Sequence, residues 1–399
     1  SAEIIPQTAQ DNVNRRMNLT FEIIEGPEGF VERINITGNT RSQEKILRRE
    51  VPMAEGDFFT TAKLERARQK LTNLGYFDQV KATTSPGTSK DKIVVNIEVV
   101  EKPTGLFPIG GGYSSVDSFI ATLDLSQRNF LGRGWAVFVR VRAGAETQQG
   151  TIGFTEPWLF DRPLSAGLDL FSDRLVCTDY TVNSLGGDIR FGHPIGDYSR
   201  WNLIYRLTQD DISDVADNAS TSLQEEEGTR ITSLIGGSIS RDTRDSAFEP
   251  TRGTVAAVGL DFAGLGGDSK FVRGTGSYAA FYTPWLNHVI SGRASGGYEV
   301  GWSNDPVPLF ERFYMGGPNS LRGWKARQIS PVDQSGTKVG GTIFLLGTIE
   351  YTVPLFYGIR AAVFYDIGQV YGPDTSFGTT FDLAELRHDA GLSLPSASP

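Results

Sequence analysis

The chain has 399 residues and a net charge of −9, with 39% hydrophobic and 21% charged residues, 46 glycines, and 43 aromatics made up of 24 Phe, 13 Tyr and 6 Trp. Glycine stands well above its usual share of about 7%, which suits many strands and turns better than a helix-covered core. One cysteine, Cys177, excludes an intrachain disulfide or thiolate metal site, and His193, His288 and His388 show no metal-ligand spacing. The acidic balance disfavours phosphate-based nucleic-acid binding, and no apolar run approaches the roughly 18 residues of a membrane-spanning helix.

Charge and texture change near residue 103. Residues 1–103 carry fifteen basic and fifteen acidic groups, so the whole net charge falls on the remainder. Residues 17–24 (MNLTFEII) alternate as a strand with Leu19, Phe21 and Ile23 on one face, and residues 3–10 are the candidate partner. Residues 1–28 therefore read as the tail of a domain that begins upstream. A small unit follows over 29–103. Residues 29–38 alternate as a strand, and residues 42–49 read as a short helix with Ser42 as N-cap. Residues 61–74 place Leu64, Ala67, Leu71 and Leu74 at helical spacing, with Gly75 as the stop. Strands over 77–84 and 92–101 close a β-α-α-β-β unit.

From residue 104 onward the pattern is strand and turn. Leu164, Ala166, Leu168 and Leu170 oppose Ser165, Gly167 and Asp169; Trp201, Leu203, Tyr205 and Leu207 oppose Asn202 and Arg206. About fourteen such runs end near residues 386–394, separated by Gly, Asp, Asn and Pro turns. The second face carries Asp124, Arg140, Arg142, Asp169, Arg206, Asp261, Arg273, Glu350 and Asp366. That many charges are costly in a packed core but suit the wet lumen of a transmembrane antiparallel β-barrel, whose apolar face meets lipid. Trp158, Trp201, Tyr282, Trp285 and Tyr351, near strand ends, fit interfacial girdles. A soluble all-β domain with a solvated face is the other architecture.

One connection, about residues 301–340, is far longer than a turn. Its apolar content and its glycines predict an ordered loop folded into the lumen. Strand alternation points Glu350 and Asp366 inward beside it, where they would clamp Arg322. On spacing alone this trio reads as an ordinary lumenal ion pair.

The stretch Leu321-Arg322-Gly323-Trp324 resembles the VRGF-type motif of the BamA family of outer-membrane β-barrel assembly proteins. Residues 29–102 resemble a POTRA domain, the last before the barrel. Residues 101–105 with 110–115, residues 126–134 (SQRNFLGRG) and residues 154–158 (FTEPW) are also family-like. The resemblance implies a sixteen-stranded barrel with the motif loop between strands eleven and twelve, and two more strands than the sequence displays. It implies that Glu350 and Asp366 partner the motif arginine. It implies that Arg48 and Glu55 dock an accessory lipoprotein of the BamD kind, although on their own they read as solvated surface charges. It places the barrel in the bacterial outer membrane with the POTRA domain in the periplasm.

The family's activity needs no covalent chemistry and no cofactor. Unfolded client barrels carry backbone groups that hydrocarbon cannot satisfy, and a strand edge can template them. In the family that edge is the first strand, here about residues 106–114, where Pro108, Gly110, Gly111, Gly112 and Tyr113 lie. Proline removes a ladder donor and glycines weaken pairing; the plainer reading is a strand that bends at a barrel seam. A weak seam would also thin the nearby lipid. The alternative function is a POTRA-barrel pore that secretes polypeptides, of the two-partner-secretion or autotransporter-assembly kind. No nucleophile elbow, phosphate-binding loop or clustered His/Asp/Ser set supports an enzyme. Cys177 reads as a small side chain beside an outer loop.

Overall fold

The computed structural model describes residues 2–11, 16–25, 29–114, 117–247, 249–303, 305–333, 336–355, 359–372 and 383–393. They form two compact units: residues 1–106 with 126–137, and residues 107–125 with 138–399.

The first unit opens with an antiparallel pair, β1 (Ala2–Asp11) and β2 (Arg16–Glu25), with Met17 opposite Gln10. The faces expected for Leu19, Phe21 and Ile23 lie outside the described side chains. The small domain then runs β3 (Phe30–Thr37), α1 (Glu44–Arg48), α2 (Thr61–Asn73), β4 (Phe77–Pro86) and β5 (Lys92–Glu101). Its sheet order is β3-β5-β4, with β3 parallel to β5 and β4 antiparallel to it. A parallel pair needs a crossover, and the two helices supply it. Their apolar stripes, Leu47 on α1 and Ala67 and Leu71 on α2, bury against Val31, Ile34, Val95, Ile97 and Val99. Thr60 caps α2, its hydroxyl accepting from the Lys63 amide at 3.2 Å, and Gly75 ends the helix at φ +72°.

Ser42 departs from the expected role. The residue preceding α1 is Gln43, which makes no side-chain cap bond. Ser42 is buried; its amide donates to Glu101 Oε1 at 2.7 Å and its hydroxyl accepts from Asn129 Nδ2 at 2.8 Å. A partner 87 residues away outcompetes the local cap. Asn129 belongs to a turn over residues 129–134 that lies in this unit. Gly132 there has φ +68°, and a Cβ would stand 1.9 Å from the Arg41 carbonyl oxygen, so no other residue fits.

From residue 105 the strands form one antiparallel meander. Its first strand comes in two pieces, β6 (Gly105–Leu106) and β7 (Ile109–Ser114), both paired with β8 (Ser118–Phe130). There follow β9 (Trp135–Ala143), β10 (Thr147–Glu156), β11 (Ser165–Val176), β12 (Thr181–Ile195) and β13 (Ser199–Ser213). A short helix, α3 (Thr221–Gln224), sits in the loop before β14 (Gly228–Asp242) and β15 (Gly253–Gly267). Then come β16 (Phe271–Tyr282), β17 (Val289–Gly301), β18 (Ile343–Pro354), β19 (Arg360–Tyr371) and β20 (Arg387–Ser393). Each strand pairs with its neighbour in sequence. Counting β6 and β7 as one gives fourteen strands among the described residues. Among the described residues the sheet has two ends, the first strand and β20. Leu394, expected in the last strand, lies outside the described residues.

The two faces follow the alternation. Leu168, Leu170, Leu203, Tyr205, Leu207, Val258 (67% exposed) and Leu260 (60%) lie exposed on the outer face. The other face pairs its charges: Asp124 with Arg140 at 2.8 Å, Asp117 with Arg142 at 3.1 Å, Asp169 with Arg190 at 2.5 Å, and Asp188 with Arg206 at 3.3 Å. No described helix is long and apolar enough to cross a membrane. Apolar surface of this extent, facing outward from charge-paired strands, is what lipid solvation requires.

Candidate functional site

The long connection spans residues 302–342, between β17 and β18, the eleventh and twelfth strands of the sheet. It is a folded structure with its own core. Met315 and Ile329 exchange two backbone hydrogen bonds of 2.9 Å, and the Gly317 amide donates to the Trp324 carbonyl at 2.8 Å. These close a compact turn over 317–324. Gly316 makes the turn possible: its φ is +112°, and a Cβ there would stand 2.1 Å from the Lys325 carbonyl oxygen. Leu321 is fully buried with Met315, Ile329 and Val370, and Trp324 packs against the same cluster. The loop's apolar side chains thus anchor it on the inner face of the sheet.

Arg322 projects from the turn into a carboxylate fork. Its Nη1 donates to Glu350 Oε2 at 2.7 Å, its Nε to Asp366 Oδ2 at 2.8 Å and its Nη2 to Asp366 Oδ1 at 2.9 Å. The Asp366 side chain has no exposed surface. Glu350 lies on β18 and Asp366 on β19, and the directly opposed outward pair is Ile349 with Tyr365, which sets both acids inward. The Phe364 ring lies 3.4 Å from the Arg322 guanidinium carbon and closes the site from one side. Gly323 adds a third strand: its amide donates to Asp389 Oδ2 on β20 at 3.0 Å. A Cβ at Gly323 would come within 2.8 Å of the Asp389 Cβ, so the approach needs glycine. Arg387, also on β20, stands 5.7 Å from the Trp324 ring. One four-residue motif therefore touches β18, β19 and β20.

Sequence reasoning did not single out Asp389, Glu299 or Glu311. Asp389 stands directly opposite Asp366 across the ladder, and Glu299 stands opposite Arg273. Alternation in Tyr298-Glu299-Val300 and His388-Asp389-Ala390 would have pointed both inward. Glu311 lies in the loop, where no periodicity applies.

The first strand holds the other candidate residues. β7 has 6 residues, against 15 in each of β12 to β15. Pro108 sits in the break between β6 and β7, and its carbonyl accepts from the Asp124 amide at 3.0 Å. A Cβ at Gly112 would meet nothing within 4 Å, whereas at Gly110 it would stand 2.6 Å from the Thr122 hydroxyl. Gly111 also has room. Tyr113, Ile109 and Phe107 are strongly exposed.

In the small domain Arg48 and Glu55 lie side by side, 3.6 Å apart. Arg48 also pairs with Glu44 at 2.6 Å, and Glu55 accepts from the Ile34 amide at 3.2 Å. Both are substantially exposed. Cys177 lies between β11 and β12, half-buried beside Tyr180 and Arg327, and burial pushes its thiol up. Among the described residues no group of acids, histidines or cysteines is placed to hold a metal.

Comparison with known proteins agrees with this geometry. Residues 129–399 match the Omp85 superfamily domain, and residues 30–102 match the POTRA model, described as a surface antigen variable number repeat. The outer membrane protein assembly factor BamA of Nitratidesulfovibrio vulgaris is 32% identical over all of this chain and 51% of its own length. The human sorting and assembly machinery component 50 homolog is 26% identical, covering 84% of this chain and 73% of the relative. A crystal structure of Haemophilus ducreyi BamA lacking POTRA domains 1–3 superposes with a TM-score of 0.77 at 19% identity, over 100% of this chain and 84% of that one. CdiB from Acinetobacter baumannii shares the fold at a TM-score of 0.60 and 15% identity, over 98% and 71%. The chain spans about half the length of the BamA relatives it matches. It belongs to the Omp85 superfamily, as an outer-membrane β-barrel with a periplasmic POTRA domain.

Proposed function

We propose that this chain is the membrane part of an assembly factor that folds client β-barrel proteins and inserts them into the outer membrane. The observation that carries the reading is the first strand: a two-residue and a six-residue piece broken at Pro108, rich in glycine, at one end of the described sheet, whose β12 to β15 each run 15 residues. Its backbone edge is a template for an incoming client strand, which adds by β-augmentation. Few ladder bonds and an entry proline keep that edge available. A short apolar band at this point would also thin the adjacent bilayer. No covalent step is involved and no cofactor is required.

Within this reading the loop residues Leu321, Arg322, Gly323 and Trp324 position the inner wall near the end of the sheet. Glu350 and Asp366 hold the arginine. The exposed Arg48–Glu55 pair on the POTRA domain is the docking point for an accessory lipoprotein. The BamA and component 50 relatives support assembly over secretion; the CdiB likeness concerns the fold.

The test is client folding in lipid vesicles. A urea-unfolded outer-membrane barrel is followed without protein, with the full-length protein, and with its Arg322→Ala variant. Acceleration lost in the variant supports an insertase that uses the loop clamp. Acceleration retained demotes Arg322 to a structural pair. A disulfide that fixes the first strand and leaves client folding unchanged refutes the templating step. Steady ion conductance without acceleration identifies a secretion pore instead.

A further inference from the structure

The loop is tied down a second time, at its base, with the charges reversed. At the tip the loop supplies the arginine and the strands supply the acids. At the base a strand supplies the arginine. Arg273 on β16 donates from Nε to Glu299 Oε2 at 2.8 Å, and from Nη2 to Glu311 Oε2 at 2.8 Å and to the Glu311 carbonyl at 2.6 Å. Glu299 lies directly opposite on β17 and its side chain has no exposed surface. Glu311 belongs to the loop. The rings of Phe271 and Phe313 lie 4.9 and 5.5 Å from the guanidinium carbon and shield it from water. Asp261 faces Arg273 from β15, so three carboxylates surround one guanidinium.

A neighbouring arginine ties the two legs of the loop together. Arg312 donates from Nε to the Val307 carbonyl at 2.9 Å and from Nη1 to the Val339 carbonyl at 3.2 Å. Phe313 and Gly341 exchange backbone bonds of 2.8 and 2.9 Å one residue further in. The base is therefore a closed unit, fastened to β16 and β17. The tip clamp uses β18, β19 and β20 and shares no residue with it.

We infer that Arg273 and Glu311 form a second, independent latch, and that Arg273 is a positioning residue for the loop. When the tip clamp opens, only the segment beyond the base moves; the base stays on the wall as a hinge. The inference goes beyond the assembly reading and holds equally for a secretion pore, because it concerns where the loop sits. Removing Arg273 alone would strand the buried Glu299, so the cleaner perturbation is Glu311→Ala, which spares the Arg273–Glu299 pair.

Hydrogen exchange of the full-length protein in detergent micelles reads the two halves separately. The Gly317 and Trp324 amides report the tip; the Phe313 and Gly341 amides report the base. Arg322→Ala should raise tip exchange about tenfold and leave the base within about twofold, while Glu311→Ala should do the reverse. The double variant should release both. Exchanging the charges, Arg273→Glu with Glu311→Arg, keeps three acids around one guanidinium and should return base protection to within about twofold of the parent. Unboiled gel mobility checks that each barrel is folded. Equal release of base and tip in Arg322→Ala would overturn the inference, as would unchanged base exchange in Glu311→Ala. Should the exchanged pair fail to fold, the Glu311→Ala result decides alone.

Discussion

Asp366→Asn tests the tip clamp with the smallest change of shape. Asp366 accepts the Nε and Nη2 of Arg322 on its two oxygens, and its side chain is wholly shielded from solvent. Asparagine keeps one acceptor and turns an NH₂ toward a guanidinium N–H, so one charged hydrogen bond is replaced by two facing donors. Glu350 still holds Nη1. A hydrogen bond to a charged group contributes about 1.5–3 kcal/mol, and with the Arg322 side chain 24% exposed the expected loss is about 2–3 kcal/mol. At about 1.4 kcal/mol per tenfold, the open population of the tip rises roughly 30- to 140-fold. Trypsin cleavage after Lys325 reads that population. Lys325 is exposed but lies inside the segment closed by the Met315–Ile329 pair, its amide bound to Gln328 Oε1 at 2.8 Å, so that segment must open before cleavage. The cleavage rate should rise by that factor while unboiled gel mobility stays as in the parent. Arg322→Lys, which keeps the charge but loses the fork, should fall between the two. A rate within about twofold of the parent, in a folded barrel, would mean that the apolar cluster under Leu321 holds the tip unaided.

Three further outcomes follow from the geometry. Asp389→Ala removes the acceptor of the Gly323 amide; that amide should exchange several-fold faster, in keeping with about 1 kcal/mol, with no change at the base of the loop. Gly132→Ala places a Cβ 1.9 Å from the Arg41 carbonyl oxygen in a left-handed conformation, and should destabilise the first unit by more than about 1 kcal/mol, seen as a lowered thermal midpoint in differential scanning calorimetry. Glu101 makes the small domain acid-sensitive: burial pushes its carboxyl up, but the Ser42 and Arg41 amides and the Thr40 hydroxyl, at 2.7, 2.8 and 2.9 Å, outweigh this and hold it below the usual range. A carboxyl lowered on folding adds stability above its unfolded value of about 4.3 and loses it as pH falls through the folded one, so unfolding midpoints should drop over that interval and Glu101→Gln should flatten the drop.

The strands were legible because lipid and lumen impose an alternation; it breaks at Thr232–Leu234 in β14, where the register with β15 shifts. Alternation also sufficed to turn Glu350 and Asp366 toward the lumen. It could not supply contacts made by segments without a period. Glu311 lies in irregular chain, so nothing in the sequence couples it to Arg273. Ser42 shows the opposite failure: a serine before a helix has a strong local signal, yet its hydroxyl and amide are taken by Asn129 and Glu101, far away in the chain. Asp389 was missed for a third reason. Its role appears only once Gly323 is known to approach close enough for an amide to reach it, and that distance belongs to the packing of the loop.

The order in which the chain supplies the loop's partners has its own consequence. Arg273 and Glu299 both precede Glu311, so the base can close on strands already made. The tip waits. Glu350, Asp366 and Asp389 follow the motif by 28, 44 and 66 residues, on the last three described strands. A slip of one residue in any of those strands turns its acid to the lipid side. Arg322 and Gly323 therefore find their acceptors only when β18, β19 and β20 are all present and in register. The tip is thus an alignment contact for β18, β19 and β20, made only when those three strands are correctly registered.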